Sequence, residues 1–116
     1  MLRLNMAYFN GRSGKTYNFL VYPMGTSFKK GLGAVYCVTN EYVKKDRSYV
    51  HGAIHVGQTS DLSSEFDDHP KQSCFEKYGA SCMCVREELD KDIRAQVVQD
   101  LIDNYDPPCN KGKEHE

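Results

Sequence analysis

Ala34-Val35-Tyr36 and, further along, Ile54-His55-Val56-Gly57-Gln58-Thr59-Ser60-Asp61-Leu62 decide the fold of this chain. Each carries a reactive side chain within or at the end of an apolar run. The second run then turns at a glycine and reaches Asp61, a residue type that starts helices by accepting from their first free N–H groups. Ala34 to Thr39 reads as a buried strand and Tyr49 to Val56 as a second one. The polar, charged stretch from Asn40 to Ser48 reads as the hairpin loop between them. Upstream, Tyr17 to Tyr22 alternates as an edge strand would, and Pro23-Met24-Gly25-Thr26 is a turn. Downstream, a helix is expected from Asp61 to about Asp68, because Pro70 disfavours helix at the preceding residue. Lys71 to Tyr78 reads as a short helix stopped by Gly79, and Ser81 to Val85 as a third strand. Asp90 or Lys91 opens a long helix with a stripe of Ile93, Val97 and Leu101, joined by Val98 and Ile102, ending near Tyr105.

The expected fold is α+β: a small, central, mainly antiparallel three-stranded sheet with an N-terminal edge strand, flanked by helices. Residues 1–16 are polar and Gly-rich, and read as a tail or a loosely attached hairpin. Residues 17–110 form the single domain, and 111–116 a C-terminal tail. An exposed edge at Tyr17–Tyr22 would permit strand-mediated dimerisation.

A chain of 116 residues suits one domain. Its residues are 40% hydrophobic and 27% charged. Both fractions are near globular averages. The net charge of -1 argues against strong, overall electrostatic binding of nucleic acid, though not against a local patch. No apolar run approaches the length that spans a bilayer, roughly 20 residues. No signal-peptide pattern is present either, so the cytoplasm is expected. The five cysteines, Cys37, Cys74, Cys82, Cys84 and Cys109, are then expected as free thiols. Cys82 and Cys84 share one strand face as small hydrophobes, and C-x-C is a poor match to zinc spacing. Gly11-Arg12-Ser13-Gly14-Lys15-Thr16 falls short of a phosphate-binding loop, since its glycines are too close and a strand follows. The acidic residues Glu65, Asp67, Asp68, Glu87, Glu88, Asp90 and Asp92 read as solvated faces.

A closing Tyr105-Asp106-Pro107-Pro108-Cys109-Asn110 completes the pattern. Together the three blocks resemble the GIY-YIG nuclease superfamily over residues 34–110. Ala34-Val35-Tyr36 stands at the first signature and His55-Val56-Gly57-Gln58-Thr59 at the second. His69 sits where the family helix often ends in His. Leu101-Ile102, Pro107-Pro108 and Asn110 fall in register with the last helix and its sequel. The resemblance implies Tyr36 near an attacking water, His55 in place of a second Tyr, Gly57 at a close backbone approach, and Asn110 orienting a phosphate or water. It also implies Mg²⁺ or Mn²⁺ as cofactor of an active member.

The chain departs from the family at two positions. Glu65 stands at the catalytic Arg and would repel a phosphate. Val98 stands at the metal-binding Glu and offers no ligand. The resemblance is therefore to a degenerate member, inactive as a nuclease, with no cofactor, binding nucleic acid (DNA) or a protein. The alternative is a metal-dependent endonuclease that hydrolyses DNA phosphodiesters at a rearranged site. In that case Asp61, one turn before Glu65, would join it as a ligand, and Lys71 or Arg94 would supply positive charge. A working site needs a carboxylate within about 5 Å of Tyr36, given metal–oxygen bonds of about 2.0–2.6 Å. In the inactive case Tyr36 and His55 hydrogen-bond each other, and Asn110 ties down the C-terminal loop.

Overall fold

Residues 34–39 are small, β-branched or aromatic, with no charge, and suit a strand buried on both faces. The structure, a computed structural model, describes residues 6–47 and 49–111, and places this run at the start of the most buried strand. The elements are β1 (Met6–Asn10), β2 (Thr16–Pro23), β3 (Ala34–Val43), β4 (Tyr49–Thr59), α1 (Leu62–Glu65), α2 (Gln72–Lys77), β5 (Cys82–Glu87) and α3 (Lys91–Tyr105), followed by a 3₁₀ turn at Pro108–Asn110. The five strands form one curled antiparallel sheet in the order β1-β2-β5-β3-β4.

Each face of the sheet has its own core. Ala7, Phe9 and Phe19 pack with Val35, Cys37, Val56 and Cys84 beneath Val97 and Leu101 of α3. On the opposite face Ala34, Tyr36, Val38, Ile54 and Val85 pack with Leu62 of α1, Phe75 of α2 and Cys109. β3 feeds both cores by alternation, so odd-numbered residues face α3 and even-numbered ones face α1 and α2. Thr39, fully buried, shares a hydrogen bond with His51 Nδ1 at 3.0 Å, and His51 Nε2 lies 3.4 Å from Glu41 on the α3 side.

The sheet is larger than the sequence suggests. The stretch expected as a tail or a loosely attached hairpin supplies, from Met6 onward, the hairpin strand β1, while residues 1–5 lie outside the described residues. Ala7 and Phe9 alternate inward, and the hairpin is docked by its turn rather than by β1 alone. The Asp100 carboxylate accepts from the Ser13 amide at 2.9 Å, the Ser13 hydroxyl at 2.6 Å and the Tyr17 hydroxyl at 2.7 Å. The Gly11–Thr16 stretch is thus a turn fastened to α3. Because β1 covers it on one side and β5 on the other, β2 is an interior strand, and the expected free edge at Tyr17–Tyr22 is absent. β3 and β4 run further into their hairpin than expected, with pairing from Ala34↔Thr59 out to Val43↔Tyr49. The first helix is shorter than expected and stops at Glu65, and Asp68 adopts a left-handed φ of 63°.

The ladder between β3 and β4 shifts between Val38 and Thr39, leaving Ile54 as the extra residue between His55 and Ala53. Such a bulge re-aims side chains. Here Ile54 and His55, neighbours in sequence, are both buried, at 4% and 9% exposure.

A Cβ on Gly11 would fall inside the bonded carboxylate of Asp100. Gly11→Ala should destabilise the domain by about 1–3 kcal/mol in urea unfolding. The same substitution in an Asp100→Ala background should cost less, because the clash is gone, giving a coupling outside additivity.

Candidate functional site

The candidate site lies on the α1/α2 face. Tyr36 comes from near the start of β3 and pairs across the ladder with Gly57, so both face the same side. The ring lies flat over Gly57. A Cβ there would sit 2.6 Å from the Tyr36 hydroxyl and 2.7 Å from Cζ. Glycine is therefore needed for the approach. Phe66 packs on the Tyr36 ring at 5.0 Å between centroids, and Phe75 lies 4.9 Å from the His69 ring and 5.5 Å from that of His55.

The Tyr36 hydroxyl is held by a directed chain of hydrogen bonds. The Lys71 amide donates to His69 Nδ1 at 3.0 Å. The His69 proton is therefore assigned to Nε2. Nε2 is 3.0 Å from the Tyr36 oxygen and donates to it. Tyr36 in turn donates to Glu65 Oε2 at 2.7 Å. Tyr36 is 2% exposed and His69 7%, so the chain runs through the interior and only Glu65 reaches solvent, with its side chain 25% exposed. Burial, reinforced by the Glu65 carboxylate, pushes the Tyr36 phenol far above its ordinary value. Burial also lowers His69, against the opposing pull of Glu65. Tyr36 therefore stays protonated and His69 stays neutral at ordinary pH.

His55 stands beside this chain without joining it. Its ring lies 5.9 Å from that of Tyr36, and its Nδ1 is 3.3 Å from the Cys109 carbonyl oxygen. The direct Tyr36–His55 hydrogen bond expected from the sequence is thus replaced by two separate anchorages. Burial lowers the His55 pKa to about 4, with nearby His69 and Lys71 adding to the effect and the Cys109 bond opposing it. Asn110 clamps the adjacent backbone as expected of a loop tie. It accepts from the Val56 amide at 2.7 Å and donates to the Val56 carbonyl at 2.8 Å.

The closing loop is also fixed covalently. Cys74 of α2 and Cys109 form a disulfide, which corrects the expectation of five free thiols. Two residues 35 apart in sequence gave no spacing signal for this bond. Cys37, Cys82 and Cys84 are free and buried, as expected, and burial drives the Cys84 thiol up to about 12.

Other expected groups lie elsewhere or are already engaged. Val98 packs on the α3 core, across the sheet from Tyr36. Arg94, 4% exposed, spends its guanidinium on Gln58 Oε1 at 2.8 Å and on the carbonyls of Glu88 and Leu89 at 2.9 and 3.1 Å. Gln58 pairs with Val35, so Arg94 too is on the α3 side. Asp61 caps α1, accepting from the Ser63 amide and hydroxyl and from the Gly31 amide, and these bonds lower its pKa. Lys71 Nζ reaches the Lys111 carbonyl at 3.4 Å. Among the described residues, no group of three or more His, Cys, Asp or Glu side chains is placed to hold a metal ion. The donor set therefore does not fit Mg²⁺ or Mn²⁺. Sequence reasoning underrated His69. Its signal was the four-residue spacing from Glu65, which brings the two side chains within 3.8 Å. No helix among the described residues is long and apolar enough to cross a membrane.

No protein-family model, no curated protein and no solved structure matches this chain.

The buried histidines set a pH dependence. The unfolded value is 6.5 and the folded His55 value is about 4. Between them the unfolded chain binds more protons. Stability is full above the unfolded value and falls as pH drops through this window, by on the order of 3 kcal/mol from His55. His69 adds in the same direction. Thermal unfolding between pH 7 and 4 should show a falling Tm, and His55→Asn should flatten the slope. The disulfide makes a separate prediction. Thiol titration of the unfolded, unreduced protein should count three thiols. Cys74→Ser should cost about 2–4 kcal/mol.

Proposed function

We propose that this chain is a GIY-YIG-like domain whose hydrolytic site is silent and which acts as an interaction module for nucleic acid or protein. The observation that carries this reading is the closed chain from Lys71 through His69 and Tyr36 to Glu65. In a hydrolytic site Tyr36 would have to face a water and a phosphate. Here its proton is committed to a carboxylate and its oxygen accepts from His69, within a site 2% exposed at Tyr36. Glu65, at the expected Arg position, supplies negative charge where a phosphate would need donors. Val98, at the expected Glu position, packs in the core on the α3 side.

A second reading keeps one specific support: Glu65 Oε2 is 2.7 Å from the Tyr36 hydroxyl, so a carboxylate is within reach of the proposed site. That reading is a metal-dependent endonuclease with a rearranged site. Plasmid and single-strand cleavage with Mg²⁺ or Mn²⁺ separates the two, run beside Tyr36→Phe and Glu65→Gln. We expect no cleavage from any of the three proteins. Cleavage by the unmodified chain that disappears in Tyr36→Phe would replace the module by the enzyme. The expected effect of Tyr36→Phe is on stability alone, a loss of about 1–3 kcal/mol from leaving the His69 N–H and Glu65 without their shared partner.

A further inference from the structure

The end of the sheet beyond the site presents a surface that the silent site does not use. Asn40 and Tyr42 follow Tyr36 and Val38 along the α1/α2 face of β3. The turn after α2 rides on this end of the strand. The Ser81 amide donates to the Thr39 carbonyl at 2.9 Å, and Asn40 Nδ2 donates to the Tyr78 carbonyl at 3.4 Å. Tyr78 is therefore anchored to the residue two positions before Tyr42, about 7 Å along the strand.

Both tyrosines are exposed, Tyr42 by 49% and Tyr78 by 41%, whereas Tyr22 and Tyr36 on this face pack inward and Tyr8, exposed by 64%, lies at the far edge of the sheet on β1. Tyr42 lies over Gly52, with its Cε1 3.8 Å from where a Cβ would stand.

Lysines flank both rings. Lys44, Lys45 and Asp46 line, with Tyr42, a shallow groove of about 540 Å³. Lys77 and Lys111 line a second groove of about 490 Å³ beside Tyr78. The Lys77 ammonium stands 5.5 Å from the Tyr78 ring centre. Nearby carboxylates are mostly engaged elsewhere. Glu41 faces the α3 side beside His51, Glu76 is bonded by Gln72, and Asp106 pairs with Lys111 at 3.3 Å. Among the described residues Lys44, Lys45 and Lys77 form no ion pair and are exposed.

Exposed aromatic faces interleaved with exposed lysines suit a strand whose bases are free to stack while its phosphates are neutralised. A duplex hides its base faces, and an apolar protein segment would leave the lysines without counter-charges. From this arrangement we propose that the Tyr42–Tyr78 surface binds a single-stranded nucleic acid, with one base on each ring and phosphates at Lys44, Lys45 and Lys77. Stacking and phosphate contacts do not need a 2′-hydroxyl, so single-stranded DNA suffices. This inference rests on the reading of the chain as an interaction module and names its partner. It uses a surface apart from Tyr36.

The test is fluorescence anisotropy of labelled oligo(dT) with the full chain, without divalent metal, over a range of salt. A duplex of mixed sequence and an oligo(U) strand run alongside. The single strands should bind alike and the duplex more weakly. Tyr42→Ala and Tyr78→Ala should each weaken binding about tenfold, while Tyr42→Phe retains it. Replacing Lys44, Lys45 and Lys77 by Gln should lower the slope of log affinity against log salt by about 0.7 per lysine. These are surface positions, and matching thermal unfolding would show that each variant folds. No binding of either strand, equal binding of the duplex, or affinity unchanged in both Ala variants would overturn the proposal. Metal-dependent cleavage, measured separately, bears on the module reading alone, so the two failures are distinguishable.

Discussion

Tyr36 lies in the first part of β3, which is buried on both faces, and its hydroxyl has to find hydrogen-bond partners inside the protein. Much of the α1/α2 face follows from that constraint. Gly57 must lack a side chain so that the ring can lie against β4. Glu65 at the end of α1 must turn inward far enough to accept the proton. His69 must present Nε2 to the same oxygen, which the Lys71 amide enforces by occupying Nδ1. One polar atom thus sets the placement of a strand, a short helix and the loop that leads to α2. Among the described residues no buried side-chain nitrogen or oxygen lacks a partner, so the network is complete.

The helices on this face, at four and six residues, are too short to stand alone. Their positions come from tertiary anchors instead. Leu62 and Phe75, each 1% exposed, supply the apolar contacts. The Cys74–Cys109 bond ties α2 to the segment after α3, and Asn110 then fastens that segment to β4 through Val56. The opposite face is built differently. There the fifteen residues of α3 cover the sheet with Val97 and Leu101, and Asp100 reaches over to hold the β1–β2 turn.

The paired strands β3 and β4, the Asp61 cap and α3 were legible, because each has a local cause: apolar alternation, a capping carboxylate, a periodic stripe. The turn expected at Gly57-Gln58-Thr59 is instead the last part of β4, paired from Tyr36↔Gly57 to Ala34↔Thr59, and Gly57 serves the approach of the Tyr36 ring rather than a bend of the chain. β1 was not legible. Five residues with two inward side chains carry little periodic signal, and the Asp100 contacts that hold the hairpin come from 87 residues away. The disulfide was missed for a similar reason, since pairing depends on the approach of α2 to the C-terminal loop. Among site residues, Tyr36 and Gly57 stood out in or just after apolar runs and Asn110 behind a pair of prolines. The partnership of Tyr36 with Glu65 and His69, rather than with His55, depends on the bulge at Ile54 and on where α1 stops, and neither is written in local spacing.

The charge at residue 65 links the site to the proposed function. An Arg there would present donors to a phosphate but could not accept the Tyr36 proton. A Glu reverses both properties: it accepts from Tyr36 and repels phosphate. With Glu65 in place, burial of the hydroxyl no longer needs a substrate or a water to satisfy it, so the same side chain that weakens any hydrolytic role completes the interior. Binding would then have to use other surfaces. The exposed rings of Tyr42 and Tyr78, set beside Lys44, Lys45 and Lys77, lie on the same face but are independent of the buried chain at Tyr36. The buried chain at Tyr36 and the proposed binding surface share the β3 scaffold and none of the same polar atoms, so completing the one places no demand on the other.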